Sequence, residues 1–339
     1  MKWGSHLAIS GHGLVESIQH IIEIGGSALQ IFISPNRGSS PGRPITKQEA
    51  DIVKTILKNT GVYLVIHGKY ILNFCSPKVM WYHEALVADL RKANQLGSSI
   101  GVVIHQGKNK ADFNQTKEEA IKTYVGHLEK VLDETKDIKN PIILENSCKQ
   151  GNEIGYTIEE LSEIYHTFHD KYKNRVKFCI DTCHIFVAGT LQFNNPAEVD
   201  EAMRRFDRLI GLEKLEVIHF NDSKTPFHGK NDHHHDIGFG YITNQTYNSS
   251  VKKYEKMVEM GAGRGSIDGL KRLVGWAKTF DIPLILETPL EESDRPTQVE
   301  MLGKWVAEEE EINYKLGDAR KEKNVVKSSK KKLKFKKRL

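Results

Sequence analysis

Six residues able to hold a cation, His67, His105, Glu145, Asp181, His219 and Glu287, each close a short apolar run of the chain. A single histidine or carboxylate in such a place is usually a hydrogen-bonded core residue. Six in succession are hard to explain by packing, because a buried carboxylate without a partner costs several kcal/mol. Three imidazoles and three carboxylates brought together need cations, and nitrogen with oxygen donors suits zinc, with manganese or iron as rivals. Further candidates stand nearby. His184 follows Asp181 by three residues, and residues 232–236 read DHHHD. In an extended loop Asp232 and His234 point to one side and His233 to the other. The spacing therefore selects His234 as a ligand beside Asp232 and His184, with His233 and His235 outside; the plain alternative is a solvated polar loop.

Something must carry the six ends to one place. The apolar runs are LAIS (7–10), LQIFI (29–33), YLVIH (63–67), VVIH (102–105), IILE (142–145), FCID (178–181), EVIH (216–219) and LILE (284–287). Near-continuous apolar runs suit parallel strands buried on both faces. Helix starts punctuate them: Thr46 with Glu49, Thr116 with Glu119, Thr157 with Glu160 and Thr297 with Glu300 fit capping boxes, and Ser76-Pro77 and Asn195-Pro196 place a cap before proline. Strand and helix alternating eight times is the pattern of a (β/α)8 TIM barrel, whose strand C-termini meet at one face. An open doubly wound sheet is the alternative, but SGHGLVES (10–17) is not its glycine-rich phosphate turn.

Of 339 residues, 39% are hydrophobic and 27% charged, an ordinary globular composition. No apolar run reaches membrane-spanning length, the N-terminus lacks a signal-peptide core, and four cysteines (75, 148, 179, 183) are too few for a disulfide framework, so an intracellular, reducing setting is expected. Cys179 and Cys183 flank ligands and are expected to pack. The net charge of +5 is uneven: residues 320–339 hold eleven Lys or Arg against Glu322, which leaves the rest of the chain acidic. The expected division is a barrel domain over 1–310, with an insertion at about 241–265, and a basic, disordered tail over 311–339 that serves as a nucleic-acid arm or nuclear address. His6 and His12 are candidates for the layer behind the ligands; the remaining histidines are expected in core or surface.

CIDTCH (179–184), HFNDSK (219–224), DHHHDIG (232–238), LENSCKQGNEIGY (144–156) and LETP (286–289) together resemble the endonuclease IV family of apurinic/apyrimidinic endonucleases, over about the first 305 residues; GSHLAIS and HGKYILN agree with its first and third strands. The resemblance implies three zinc ions per chain, with Mn2+ or Fe2+ as substitutes: His67, His105 and Glu145 for one; Glu145, Asp181, His219 and Glu287 for a second, with Glu145 as catalytic bridge; His184, Asp232 and His234 for a third. It implies hydrolysis of the phosphodiester 5′ to abasic sites in double-stranded DNA, leaving a 3′-hydroxyl and a 5′-deoxyribose phosphate, with 3′-phosphodiesterase or phosphatase activity beside it. DNA contacts would come from loops 34–44 and 68–73, with Arg37, Lys69 and Tyr70, and Arg43 within reach. A monomer is expected, with no membrane partner, nuclear in a eukaryotic host and otherwise cytoplasmic; a viral source is compatible. The chain departs from the family at His233, where arginine is usual, at Gln106, where proline is usual, and at Phe239 and Tyr241. The alternatives are a metal-dependent sugar isomerase on the same barrel, which would not need the third triad or the tail, and a non-catalytic DNA-binding module, which would not need nine ligands.

Overall fold

β-Branched runs that are buried on both faces form the wall of a closed parallel barrel in a computed structural model of the chain, which describes residues 1–9, 13–78, 81–243, 267–289 and 295–317. Its strands are β1 (Trp3–His6), β2 (Ala28–Phe32), β3 (Tyr63–His67), β4 (Val102–Ile104), β5 (Ile142–Glu145), β6 (Val176–Asp181), β7 (Leu215–His219) and β10 (Leu284–Leu286), and the ring closes where β1 pairs with both β2 and β10. Around it lie α1 (Leu14–Glu23), α2 (Lys47–Thr60), α3 (Tyr82–Leu96), α4 (Lys117–Glu134), α5 (Ile158–Thr167), α6 (Thr182–Val187), α7 (Pro196–Leu209), α8 (Asp268–Thr279) and α9 (Arg295–Glu308). A two-stranded ribbon, β8 (Asp222–Ser223) with β9 (His234–His235), sits past the end of β7. The (β/α)8 expectation holds.

Alternation along each strand separates two apolar layers. Outward residues such as Leu29, Ile31, Leu64, Ile66, Ile142 and Leu144 join the helices in the main core. Inward, seven strands contribute one residue each to a plug: Ala28, Val65, Val103, Ile143, Cys179, Val217 and Ile285. The eighth strand supplies Gly4, level with Ala28 and Ile285. A side chain has no room there, since a Cβ on Gly4 would lie 1.8 Å from the Ala28 carbonyl oxygen.

That glycine also explains a correction. The first strand runs over Trp3–His6, not residues 7–10. WGSH lacks an apolar run because one of its inward positions must be empty, so the neighbouring LAIS looks more strand-like than the strand itself. Two helix starts also differ. The helix expected at Ser76-Pro77 begins at Tyr82, and the Ser76 hydroxyl instead accepts from the Lys78 amide at 3.3 Å. Thr297 is inside α9, not its cap. Thr116 and Glu119 form the full reciprocal capping box, whereas Thr46 and Thr157 cap but their glutamates turn to Arg43 and to Lys117 with the Gly155 amide. Asn195 caps α7 with Pro196 in its first turn.

Past α9 the chain stays packed. Ile312 is buried, the Tyr314 ring packs tilted against Trp276 and edge-on against Phe280, and the Gly317 amide donates to Asp207, so the boundary expected after residue 310 falls inside a packed stretch. His12, residues 244–265 of the expected insertion and residues 318–339 of the basic tail lie outside the described residues. Among the described residues no helix is long and apolar enough to cross a membrane.

Candidate metal centre

Two residues beyond each plug position, the chain points inward again. Val65, Val103, Ile143, Cys179, Val217 and Ile285 are followed at that spacing by His67, His105, Glu145, Asp181, His219 and Glu287. The six expected ligands thus form one ring above the plug, completed by His6 after Gly4 and Gln30 after Ala28.

Glu145 is at the centre of the ring. Its Oε2 lies 3.5 Å from His67 Nε2 and 3.2 Å from His105 Nε2; its Oε1 lies 2.9 Å from His219 Nδ1. His219 Nδ1 is also 3.0 Å from Glu287 and 3.9 Å from Asp181. Beside this, Asp232 meets His184 Nε2 at 3.1 Å through one oxygen and His234 Nε2 at 3.0 Å through the other. Asp181 stands 3.5 Å from His234 as well, and forms a compact group with His184 and His234. All nine expected ligands are therefore brought together.

Backbone carbonyls set the imidazole tautomers. His67 Nδ1 donates to Gly68 O at 2.7 Å, His184 Nδ1 to Asn146 O at 2.9 Å, and His234 Nδ1 to Glu287 O at 3.2 Å. A neutral ring that donates from one nitrogen carries a lone pair on the other. Those lone pairs, on His67, His184 and His234 Nε2, are buried without a hydrogen-bond partner, as is Glu145 Oε2, and all four face the cluster. Acceptors facing acceptors repel unless a cation lies between them. Bonds of about 2.0–2.1 Å to a tetrahedral zinc would place ligand atoms roughly 3.3 Å apart, the scale seen here. The donor set fits divalent cations.

The electrostatics agree. Burial opposes an imidazolium at His234, but Asp181 and Asp232 outweigh it and raise the ring from 6.5 to about 9. Burial likewise opposes charge on His184 and Glu145, yet Asp181 and Asp232 push the first well up, and His219 and His105 hold the second well down. Without metal, protons occupy the cation's place. A raised folded-state value stabilises the fold fully below the unfolded value and loses that contribution as pH rises through the folded value. Chelator-stripped protein is therefore expected to lose thermal stability as pH rises from about 6.5 through about 9, while metal-loaded protein holds steady. Melting temperatures of both forms across that range check it.

Two thiols approach the same groups, Cys179 near Glu145 and His219, and Cys183 near Asp232 and His234. Burial pushes the Cys179 thiol up to about 12 and Cys183 well above its ordinary value, so both stay protonated packing groups at neutral pH.

The histidine run is aimed by its anchor. In the β8–β9 ribbon Ser223 pairs with His234 and Asp222 with His235. The buried Asp222 carboxylate accepts from the amides of Gly238, Gly240 and Ile242 and from the Thr243 hydroxyl, tying down the loop that follows. His234 turns to the cluster; His233 is exposed, 3.3 Å from Asn231. Burial lowers His235 to about 4, so it is neutral.

Above the ring opens a cavity of about 1120 Å³, whose lining includes Arg37, Tyr70, Lys224 and His233. The Tyr70 ring leans on Phe32, His67 and His105, at centroid distances of 5.0, 5.3 and 5.4 Å. Lys69, expected to face DNA, is buried instead, its ammonium donating to Pro35 O at 2.6 Å and Ser40 O at 2.8 Å. Arg43 is engaged by Glu49.

Three residues that sequence reasoning missed support the ligands. Gln30 accepts from His219 Nε2 at 2.8 Å and donates to Glu287; Asn221 donates to Asp181 at 2.7 Å and accepts from the Glu287 amide at 2.8 Å; Asn146 accepts from the Asp181 amide at 2.7 Å. Their signal was available: Gln30 interrupts an apolar strand at an inward position, and the two asparagines stand one and two residues after a strand-end ligand. His6, 3.0 Å from Gln30, is lowered to about 3 by burial, so it is a neutral neighbour of the ring.

Comparison with known proteins defines the class first. The family described as "Xylose isomerase-like TIM barrel" matches residues 18–280. Within it, a putative endonuclease 4 of Acanthamoeba polyphaga mimivirus is 35% identical over 307 residues, covering 88% of each chain. The apurinic-apyrimidinic endonuclease 1 of Saccharomyces cerevisiae is 29% identical, covering 91% of this chain and 77% of its own. The crystal structure of endonuclease IV from Thermus thermophilus has the same fold, with a TM-score of 0.71 at 23% identity over 91% of this chain and all of that one. The chain belongs to the endonuclease IV family of apurinic/apyrimidinic endonucleases, and thereby to the DNA-cleaving hydrolases of DNA repair.

Proposed function

We propose that this protein hydrolyses the phosphodiester 5′ to abasic sites in double-stranded DNA, leaving a 3′-hydroxyl and a 5′-deoxyribose phosphate, and that the same centre removes 3′-blocking groups. The observation that carries the reading is the set of buried, unpartnered lone pairs on His67, His184, His234 and Glu145, converging at the barrel mouth. We assign three zinc ions, for which Mn2+ or Fe2+ would substitute, to His67, His105 and Glu145, to Glu145, Asp181, His219 and Glu287, and to His184, Asp232 and His234. Bound there, such ions supply a hydroxide near neutral pH and offset the charge of the phosphate and the leaving oxygen.

The protein's own part is to aim and to exclude. Glu145 presents one oxygen to each side of the ring and so spans two groups of ligands. Gln30, Asn146 and Asn221 hold imidazoles and carboxylates in fixed orientation, which keeps ligand geometry from relaxing. Tyr70 and Arg37 stand on the rim, where they would wedge into a duplex and shed water from an exposed sugar. No side-chain nucleophile is assigned, since the thiols beside the ring are protonated.

The test is metal analysis paired with incision of an abasic duplex. Zinc near three per chain, cleavage 5′ to the lesion, and its loss on chelation with return on adding zinc are expected. Full cleavage after complete metal removal, or sugar isomerisation with intact abasic DNA, would overturn the reading; the latter would favour the isomerase alternative.

The basic tail is proposed to supply non-specific affinity to an otherwise acidic body, and to direct the protein to the nucleus in a eukaryotic host. Deletion of residues 320–339 removes eleven basic residues. Single-turnover cleavage at saturating enzyme should be unchanged, whereas affinity for undamaged duplex and the steepness of its salt dependence should both fall. An unchanged salt slope in a filter-binding titration would remove the arm from the account.

A further inference from the structure

Outside the ring, two buried lysines lie under the loop that follows β2. Lys69, on the loop after β3, donates to Pro35 O at 2.6 Å and to Ser40 O at 2.8 Å. Lys92, on α3, donates to Ile33 O at 3.4 Å and to Pro41 O. Four carbonyls of one loop thus end on two ammonium groups. Asp89, buried, interacts electrostatically with both lysines, with Ser34 Oγ at 3.3 Å from one of its oxygens and no hydrogen-bond partner on the other. The next residue after Lys69 completes the join: the Tyr70 amide donates to Asn36 O at 3.1 Å. The loop folds back on itself at Gly42, whose φ of +70° and close approach to Pro35 and Ser34 disfavour a side chain.

We propose that Lys69 and Lys92, neutralised in part by Asp89, are positioning residues that lock loop 33–42 to loop 68–73, so that Arg37 and Tyr70 meet the DNA as one preformed body. The physical case is direct. A loop without ladder hydrogen bonds keeps its carbonyls in water and samples many shapes. Charge-assisted hydrogen bonds from buried ammonium groups fix those carbonyls without any contact to the ligand. The ordering is then complete before DNA arrives, which lowers the cost of binding. This rests on the proposed DNA-cleaving function for its consequence, but the lock itself is a property of the free protein.

Three readouts test it. In the wild-type protein, acetylation by a soluble amine reagent, mapped by mass spectrometry, should spare Lys69 and Lys92 equally with and without duplex DNA. Reactivity of Lys69 like that of exposed lysines, with protection by DNA, would make it a phosphate contact and overturn the proposal. In Lys69→Met and Lys92→Met, trypsin should cut after Arg37 faster than in wild type, by about tenfold, with zinc content retained; an unchanged rate in a folded variant would also overturn it. For incision, Lys69→Met should raise KM with kcat held, and its effect should largely vanish in an Arg37→Ala background, because both act through one loop. Additive effects would show that Lys69 does not work through Arg37. The trypsin and acetylation results do not depend on DNA cleavage, so failure of the lock and failure of the proposed activity are separable.

Discussion

Glu145→Ala is expected to abolish incision of abasic DNA, by at least about a thousandfold in single-turnover rate, and to lower the zinc content. This carboxylate joins three imidazoles of the ring, with His67 and His105 near one oxygen and His219 near the other. It is completely buried, so its removal strands imidazoles that have lost their counter-charge. Breaking such a buried pairing costs about 3–5 kcal/mol. Glu145→Gln separates shape from charge: it fills the same space, so the melting temperature should fall less, but cleavage should be lost equally. Metal analysis and single-turnover cleavage on the same preparation check this. Wild-type cleavage with a full metal complement in either variant would end the bridging role.

A second large effect divides adjacent residues. His234→Ala is expected to lower the zinc content and to slow incision by about a hundredfold or more, whereas His233→Ala should leave the metal intact and the rate within about twofold. His234 carries a buried lone pair 3.0 Å from Asp232, and its other nitrogen is held by the Glu287 carbonyl. His233, next to it, is exposed, and its ring nitrogen lies 3.3 Å from Asn231. Equal metal loss in the two variants would show that the ribbon does not choose between them.

The barrel and its ring were legible because two periodicities coincide. Strands buried on both faces read as apolar runs, and a polar residue closing such a run stands out, as at His67, Glu145 and His219. The same contrast fails at β1, where the plug demands Gly4 and leaves no apolar run to read. Gln30 was equally hidden, since a lone amide inside a strand has no meaning until His219 and Glu287 are known to flank it. Lys69 shows a different limit. Sequence marks an ammonium group but not what it faces, and here it faces carbonyls of a neighbouring loop in place of solvent. Ser76-Pro77 carried a sound local signal that tertiary context spent on a turn.

The seam between β1 and β10 has a consequence for the making of the protein. There the Ser5 hydroxyl donates to the Leu286 carbonyl, 281 residues along the chain. The ring cannot be complete until β10 has been synthesised, although His67, His105 and Glu145 are present once β5 has emerged. Ions that bind only the closed form add about 2.7 kcal/mol each when free metal exceeds its dissociation constant a hundredfold. Zinc supply would then govern how long each molecule survives as well as how fast it works, and in a starved cell the chain would be removed as an unfolding protein before it could accumulate as an idle one.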